Sequence, residues 1–270
     1  MEQSQLDKIK GIRRKSKYMN IFLIGKKLNE FMEQKNVKVC TGEDIVVLKK
    51  ETTECTRLYF FTDNIESVKL IDRYIDETDK KPIMIDIIGK IEEANELSNI
   101  LAQSNFSNYI TFGKWQGNSD TLVFRRKYTD EDIWDEPVRI ATLDDLDAVY
   151  NLLDSNFDKL SYELQDKETL RKQIENKEVY VTGINGKVVA FFIALRPSEN
   201  ICMLDYSAVD LSVRGAGACM YIYGYVLQRL PENVKIIYYA SVTNSVTGRE
   251  KGLFGMKKEN FSKIIMKYNK

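Results

Sequence analysis

The chain has 270 residues, 43% of them hydrophobic, enough for one large domain or two ordinary ones with buried cores. Forty basic residues offset forty acidic ones, which argues against a general coat for nucleic acid or another polyanion. Histidine is absent, which excludes Ser–His and Cys–His nucleophile pairs and most transition-metal sites.

Four scattered cysteines, Cys40, Cys55, Cys202 and Cys219, have no Cys-x-x-Cys spacing and read as small buried residues of a reducing compartment, so no metal site is expected. There is no run of eighteen apolar residues and no apolar core near the N-terminus, so neither a membrane span nor a signal peptide is expected. The expected setting is cytoplasmic.

In chain order, residues 6–34 read as one or two helices, with Tyr18, Ile21, Phe22, Leu28, Phe31 and Met32 near helical spacing. The cluster Lys8, Lys10, Arg13, Arg14, Lys15 and Lys17 reads as a solvated helix face, and no nucleic-acid partner is expected. Strands follow over 44–49 and 58–62, a helix over 65–75, a strand over 83–88 and a helix over 91–101. Two closing strands are expected near 109–112 and 121–124.

The second half opens with Val138-Arg139-Ile140-Ala141-Thr142-Leu143-Asp144-Asp145-Leu146, a short strand running into a helix that ends near 153. A loop over 154–158 and a helix over 167–174 come next. Apolar runs at 179–184 and 188–195 flank Asn185-Gly186, the strongest short hairpin signal. A strand over 201–209, a helix from about 219 stopped by Pro231, and a strand over 236–240 complete the pattern.

The order strand, helix, strand, helix, strand occurs in both halves, with 58–61 corresponding to 203–209 and 83–87 to 236–240. The fold class expected is α/β: two tandem mixed-sheet domains flanked by helices, residues 1–130 and 131–270, divided in the charged stretch before Pro137.

The most informative stretch is the turn between strand 201–209 and its following helix. It reads Arg214-Gly215-Ala216-Gly217-Ala218-Cys219 after Val209. Glycines let a backbone approach a ligand closely, and the free N–H groups of a first helical turn point at whatever occupies the turn, which suits a pyrophosphate. The first half has Asp63-Asn64-Ile65-Glu66 at the corresponding place, with two carboxylates and no glycine, so it is not expected to cradle a phosphate.

This turn resembles the acetyl-CoA loop of the GNAT superfamily of N-acetyltransferases, Arg/Gln-x-x-Gly-x-Gly/Ala, with Cys219 in place of the last small residue. The superfamily pattern continues with Asn, a small or apolar residue three on, Tyr seven on and Gly-Phe eleven and twelve on. Here Asn244, Thr247, Lys251 and Gly255-Met256 keep that spacing, with Lys for Tyr and Met for Phe. Together with the opening segment from Val138, the resemblance covers about residues 138–270. The first half is then a degenerate GNAT-like copy or an unrelated α/β domain.

The resemblance implies an enzyme that moves an acetyl or other acyl group from acetyl-CoA to a primary amine of a small molecule or peptide. Cofactor contacts would come from Val209, Leu211, Arg214, Gly215, Ala216, Gly217, Ala218, Cys219 and Asn244. Asp205 would be the base, and Lys251 would take the place of the usual acid, with Tyr238, Tyr239 and Tyr221 as other candidates. Strand alternation puts Asp205, Ser207 and Val209 on one face and Tyr206 on the other. Asp158 and Glu163 are candidates for gripping a cationic acceptor, with solvated loop charges as the other reading.

The first half would help build the acceptor site or a chain–chain interface, a homodimer being the partner state considered. Two alternatives stand beside this one. A non-catalytic acyl-CoA-binding module is suggested by Lys251 and Cys219, and a tandem aminoacyl-tRNA-dependent transferase by the basic cluster alone.

Overall fold

In the computed structural model, residues 3–76, 80–123, 136–214, 217–243 and 254–270 are described. The chain divides into two units, Met1–Thr111 with Asn260–Lys270, and Phe112–Glu259. The first contains α1 (Gln3–Lys15), β1 (Tyr18–Met19), α2 (Gly25–Met32), β2 (Val37–Thr41), β3 (Ile45–Glu51), β4 (Thr56–Thr62), α3 (Ile65–Val68), β5 (Ile83–Lys90) and α4 (Ile91–Ala102). Strand β6 (Phe106–Asn118) leads out of it. The second contains β7 (Arg139–Ile140), α5 (Leu146–Asn156), α6 (Lys167–Glu175), β8 (Val179–Ile184), β9 (Lys187–Ser198), β10 (Ile201–Val209), α7 (Ala218–Leu227) and β11 (Lys235–Ser241), and β12 (Lys257–Tyr268) leads out of it.

Strand β3 shows why the first sheet is covered on both faces. Its Ile45 and Val47 pack with α4 residues Ala94, Leu97 and Leu101. Its alternate residues Val46 and Leu48 pack with Ile9, Leu28 and Met32 of α1 and α2. A strand buried on both sides reads as a continuous apolar run, as Ile45–Leu48 does. In the second unit the same layering puts α7 on one face, with Leu204, Phe192 and Ile236. Helices α5 and α6 cover the other, with Phe191, Ile193 and Tyr206.

The strands of the two units share an order. In the first, β2, β3 and β4 are antiparallel, β4 and β5 parallel, and β5 antiparallel to β12. In the second, β8, β9 and β10 are antiparallel, β10 and β11 parallel, and β11 antiparallel to β6, with β7 added outside β8. The closing strands are exchanged. Strand β6 follows α4 in sequence yet pairs with β11, and β12 ends the chain yet pairs with β5. A charge network marks the second exchange: Asp86 of β5 binds Arg57 of β4 and, at 2.9 Å, Lys263 of β12.

This division differs from the expected boundary between 130 and 131, because pairing partners, not sequence neighbours, decide which unit a strand completes. The boundary itself falls in 124–135, outside the described residues. The expected helix over 65–75 is two pieces, α3 and a 3-10 turn Ile71–Tyr74, and the expected strand over 121–124 begins in a 3-10 turn, Ser119–Thr121. Strands β1 and β2 lie where no strand was expected. The Asn185-Gly186 hairpin is present, both residues having positive φ (51° and 77°) as a two-residue turn requires. No helix among the described residues is long and apolar enough to cross a membrane.

Helix α5 is anchored by Asp145. Its carboxylate accepts from both guanidinium nitrogens of Arg139 (2.6 and 2.7 Å) and from the Thr142 N–H (2.8 Å) and hydroxyl (3.1 Å). The Arg139 hydrogen bond is the first cause holding the Asp145 carboxyl below its ordinary range. Asp145→Ala should cost about 1–3 kcal/mol, since it removes a buried carboxylate that caps the start of the helix and pairs with Arg139. A depressed native pKa stabilises fully above the unfolded value, about 3.9, and the benefit is lost as pH falls through the native one. The gap in urea midpoint between wild type and Asp145→Ala should therefore narrow below about pH 3.9. A constant gap would show that the ion pair contributes nothing.

Candidate functional site

The parallel ladder between β10 and β11 is short. Among the described residues it runs only from Ile201–Lys235 to Leu204–Tyr238. Beyond that point β10 continues to Val209 on β9, and β11 continues to Ser241 on β6. The two strands have parted while each keeps its outer partner. The Asp210 N–H donates to the Val189 carbonyl at 2.7 Å, so by antiparallel alternation Ala208 also spends its backbone groups on β9. Ser207 and Val209 therefore turn theirs toward the opening. Two exposed apolar side chains stand just past the strand ends, Leu211 (65% exposed) and Val242 (52%).

A bulge shapes β10. Leu204 faces Ala194 and Ser207 faces Phe192, so three steps on β10 match two on β9. Its effect is legible in the packing. Cys202 and Leu204 join the α7 core, whereas Tyr206 and Ala208 join the α5/α6 core. The bulge also brings Asp205 and Tyr206 to one loop: the Asp205 carboxylate accepts from Gln165 Nε2 at 2.7 Å, and the Tyr206 hydroxyl donates to the Glu163 carbonyl at 3.2 Å. Simple alternation had put Asp205 with Ser207 and against Tyr206. The extra residue overturns that, and Ser207 instead bonds Tyr223 of α7 (2.9 Å).

The Ser207–Tyr223 bond ties the parted strand to the helix that follows it, and Tyr223 is itself held against Phe192 with ring centroids 4.3 Å apart. At the start of α7, Gly217 has φ +92°, a conformation natural to glycine, and among the described residues an added Cβ would meet no atom within 4 Å beyond its chain neighbours. Gly217 itself is exposed. Ala218 is buried and Cys219 half-buried in the first turn. The Arg214 guanidinium reaches Asn156 Oδ1 at 3.3 Å, at the end of α5. Gly215, Ala216, Asn244 and Lys251 lie outside the described residues.

Sequence reasoning missed Asp210. Its carboxylate accepts from the Ser212 N–H (2.9 Å) and hydroxyl (2.6 Å), capping the 3-10 turn Leu211–Val213. The Ser212 hydroxyl is the first cause lowering its pKa. The Asp-x-Ser spelling was the available signal. Asp158 is likewise engaged in its own turn, accepting from the backbone N–H groups of Leu160 and Ser161. Among the other acid candidates, Tyr221 is buried in the α7 core, Tyr238 packs against that core, and burial raises the Tyr239 pKa. Near Asp205, Tyr162 stacks edge-on against Phe112, Phe157 and obliquely on Tyr206, and burial pushes its phenol up to about 12.

No protein-family model matches the sequence, and no curated protein matches it. Solved structures do. A GCN5-related N-acetyltransferase from Sphaerobacter thermophilus is 9% identical, with a TM-score of 0.61 over 90% of this chain and 84% of that one. A GNAT-family acetyltransferase from Colwellia psychrerythraea is 14% identical, with a TM-score of 0.55 over 100% and 98%. A tandem GNAT protein of the clavulanic acid biosynthesis pathway is 9% identical, with a TM-score of 0.52 over 86% and 83%. Such identities speak to architecture. With its mixed strand pairing, its flanking helices and a parallel strand pair that parts midway, this chain has the fold of the GCN5-related N-acetyltransferases.

Proposed function

We propose that the chain is an acyltransferase that moves an acetyl or similar acyl group from CoA to a primary amine at the second unit. The observation that carries this reading is the parting of β10 from β11 after Leu204–Tyr238, which leaves the backbone groups of Ser207 and Val209 facing an opening. An extended pantetheine arm carries amide donors and acceptors that suit such an edge. Helix α7, starting at the open turn of Gly217, supplies first-turn N–H groups for the pyrophosphate. Leu211 and Val242 offer apolar surface to the acyl end.

The chemistry assigned to these residues is as follows. The amine nitrogen attacks the thioester carbonyl carbon, the Val209 N–H polarises the carbonyl oxygen, and the C–S bond breaks to release the CoA thiolate. Asp205 accepts the proton the amine must lose, directly or through water. Lys251 is assigned to stabilise or protonate the thiolate. Asp205 already accepts an N–H from Gln165, the kind of contact an acceptor amine would make. A second reading, CoA binding without transfer, draws on Lys251 standing where the superfamily pattern has Tyr. Release of free CoA with an amine panel separates the two.

Gly217 tests the donor site. Because of its positive φ, Gly217→Ala should cost about 1 kcal/mol of stability without ligand. Gly217→Glu adds a negative charge to the turn and should weaken CoA binding at least about tenfold, or about 1.4 kcal/mol, relative to Gly217→Ala. Equal CoA affinity of the two variants by calorimetry would place the donor elsewhere.

Asp205 tests the chemistry. In Asp205→Asn, kcat with the best amine should fall by about a hundredfold or more while CoA affinity is kept. Lys251→Met should cost less, since thiolates leave with little help. A wild-type kcat in Asp205→Asn means another base. A raised KM for the amine at unchanged kcat would make Asp205 a substrate ligand instead.

A further inference from the structure

The first unit repeats the parted strands of the second, and there the opening is filled. The parallel ladder between β4 and β5 runs from Thr56–Ile83 to Leu58–Ile85 among the described residues. Strand β4 goes on to Thr62 with β3 along its other edge. On the edge that β5 has left, residues 17–20 of the same chain take over. Tyr18 pairs with Thr62 and Met19 with Phe61, antiparallel. The Lys17 N–H donates to the Thr62 carbonyl (2.9 Å) and the Asn20 N–H to the Phe60 carbonyl (3.2 Å).

The buried Asn20 side chain extends this ladder. Its Nδ2 donates to the Leu58 carbonyl at 2.9 Å, and its Oδ1 accepts the Phe60 N–H at 2.6 Å. Counting from the last parallel pair in each unit, Phe60 and Thr62 correspond to Ser207 and Val209. The offset of one residue is the bulge that β10 has and β4 lacks. The backbone groups that face an opening in the second unit are thus spent on the protein's own chain in the first.

A second, independent observation concerns the turn after β4. Where the second unit has the open turn of Gly217, the first has Asn64 and Ser67, and the Asp44 carboxylate accepts from both: Asn64 Nδ2 at 2.7 Å and the Ser67 hydroxyl at 2.6 Å. The Glu66 N–H is taken by the Asn64 side chain (3.0 Å). An internal anion and an internal amide stand where an incoming phosphate would need free donors. Arg13 fastens the filling segment from behind, donating to the Ile21 carbonyl (3.4 Å) and lying over the Phe61 ring (5.7 Å). Part of the basic cluster of α1 therefore serves this attachment.

We infer that the first unit is a self-filled donor site: residues 17–20 occupy the strand opening as a built-in stand-in for a pantetheine arm, and Asp44 occupies the turn as a stand-in for its phosphate. The inference rests on the acyl-CoA reading of the second unit for its functional meaning. It makes the first unit a permanent scaffold and limits the chain to one CoA.

The test combines calorimetry of the full chain with CoA and residue-resolved amide hydrogen exchange with and without it. The expected result is one CoA per chain, with the amides of Lys17, Asn20 and Phe60 protected in the free protein and unchanged by saturating CoA. In Asn20→Ala the Phe60 amide should exchange at least about tenfold faster, having lost its acceptor. Two CoA per chain, or loss of protection at Lys17 and Asn20 when CoA is added, would overturn the inference. So would exchange of these amides at the rate of an open loop in the free protein. Absence of CoA binding with the three amides still protected would instead overturn the acyl-CoA reading and leave the filling of the first unit standing.

Discussion

Two parallel strands that separate midway leave backbone donors and acceptors without partners, and a protein interior does not tolerate such groups. Water, a ligand or another stretch of chain must meet them. Both units of this protein present that problem at the same place in the same strand order, after Leu204–Tyr238 in one and after Leu58–Ile85 in the other. The solutions differ. The second unit leaves Ser207 and Val209 facing an opening beside a glycine-initiated helix. In the first, Lys17, Asn20 and Asp44 meet the equivalent demands from within. The contrast between an open and a filled copy of one architecture is the structural basis for assigning different roles to the two halves.

The bulge on β10 is the small feature with the largest consequence for chemistry. One added residue moves Tyr206 and Ala208 from the α7 face to the α5/α6 face. It sets Asp205 and Tyr206 against the same loop, through Gln165 and Glu163, and frees Ser207 to bond Tyr223. The carboxylate is thereby tied to the segment before α6, and the parted strand to α7, by direct side-chain contacts. Strand β4, continuous with β3 and without a bulge, keeps one alternation throughout and has Phe60 in the core instead.

The exchange of closing strands gives each unit a last strand that is distant in sequence from the strand it pairs with. Strand β12 supplies Ile264 and Met266 to the first core and Lys263 to Asp86, while the later part of β6 supplies Trp115 to the core beneath α7. A partly buried ion network of Arg57, Asp86 and Lys263 is costly to desolvate, and it joins β12 to β5 by charge as well as by backbone pairing.

Periodicity and turn chemistry, read in the sequence alone, determined the α/β class, the Asn185-Gly186 hairpin, β10, α7 and the turn of Gly217, because these depend on neighbours a few residues apart. They also marked Asp63 to Glu66 as a turn unlike the glycine loop. The tertiary structure alone decided the rest. A bulge depends on the partner strand's count, so the facing of Asp205 and Tyr206 could not be read from strand alternation. Strand exchange depends on pairing over more than a hundred residues, as between Lys235 and Asn118. Tyr18 to Asn20 carry too few residues to announce a strand, and their apolar neighbours fit a helix as well. They become a strand because β4 has an edge that only an extended segment can satisfy, and that edge exists only once β5 has turned away.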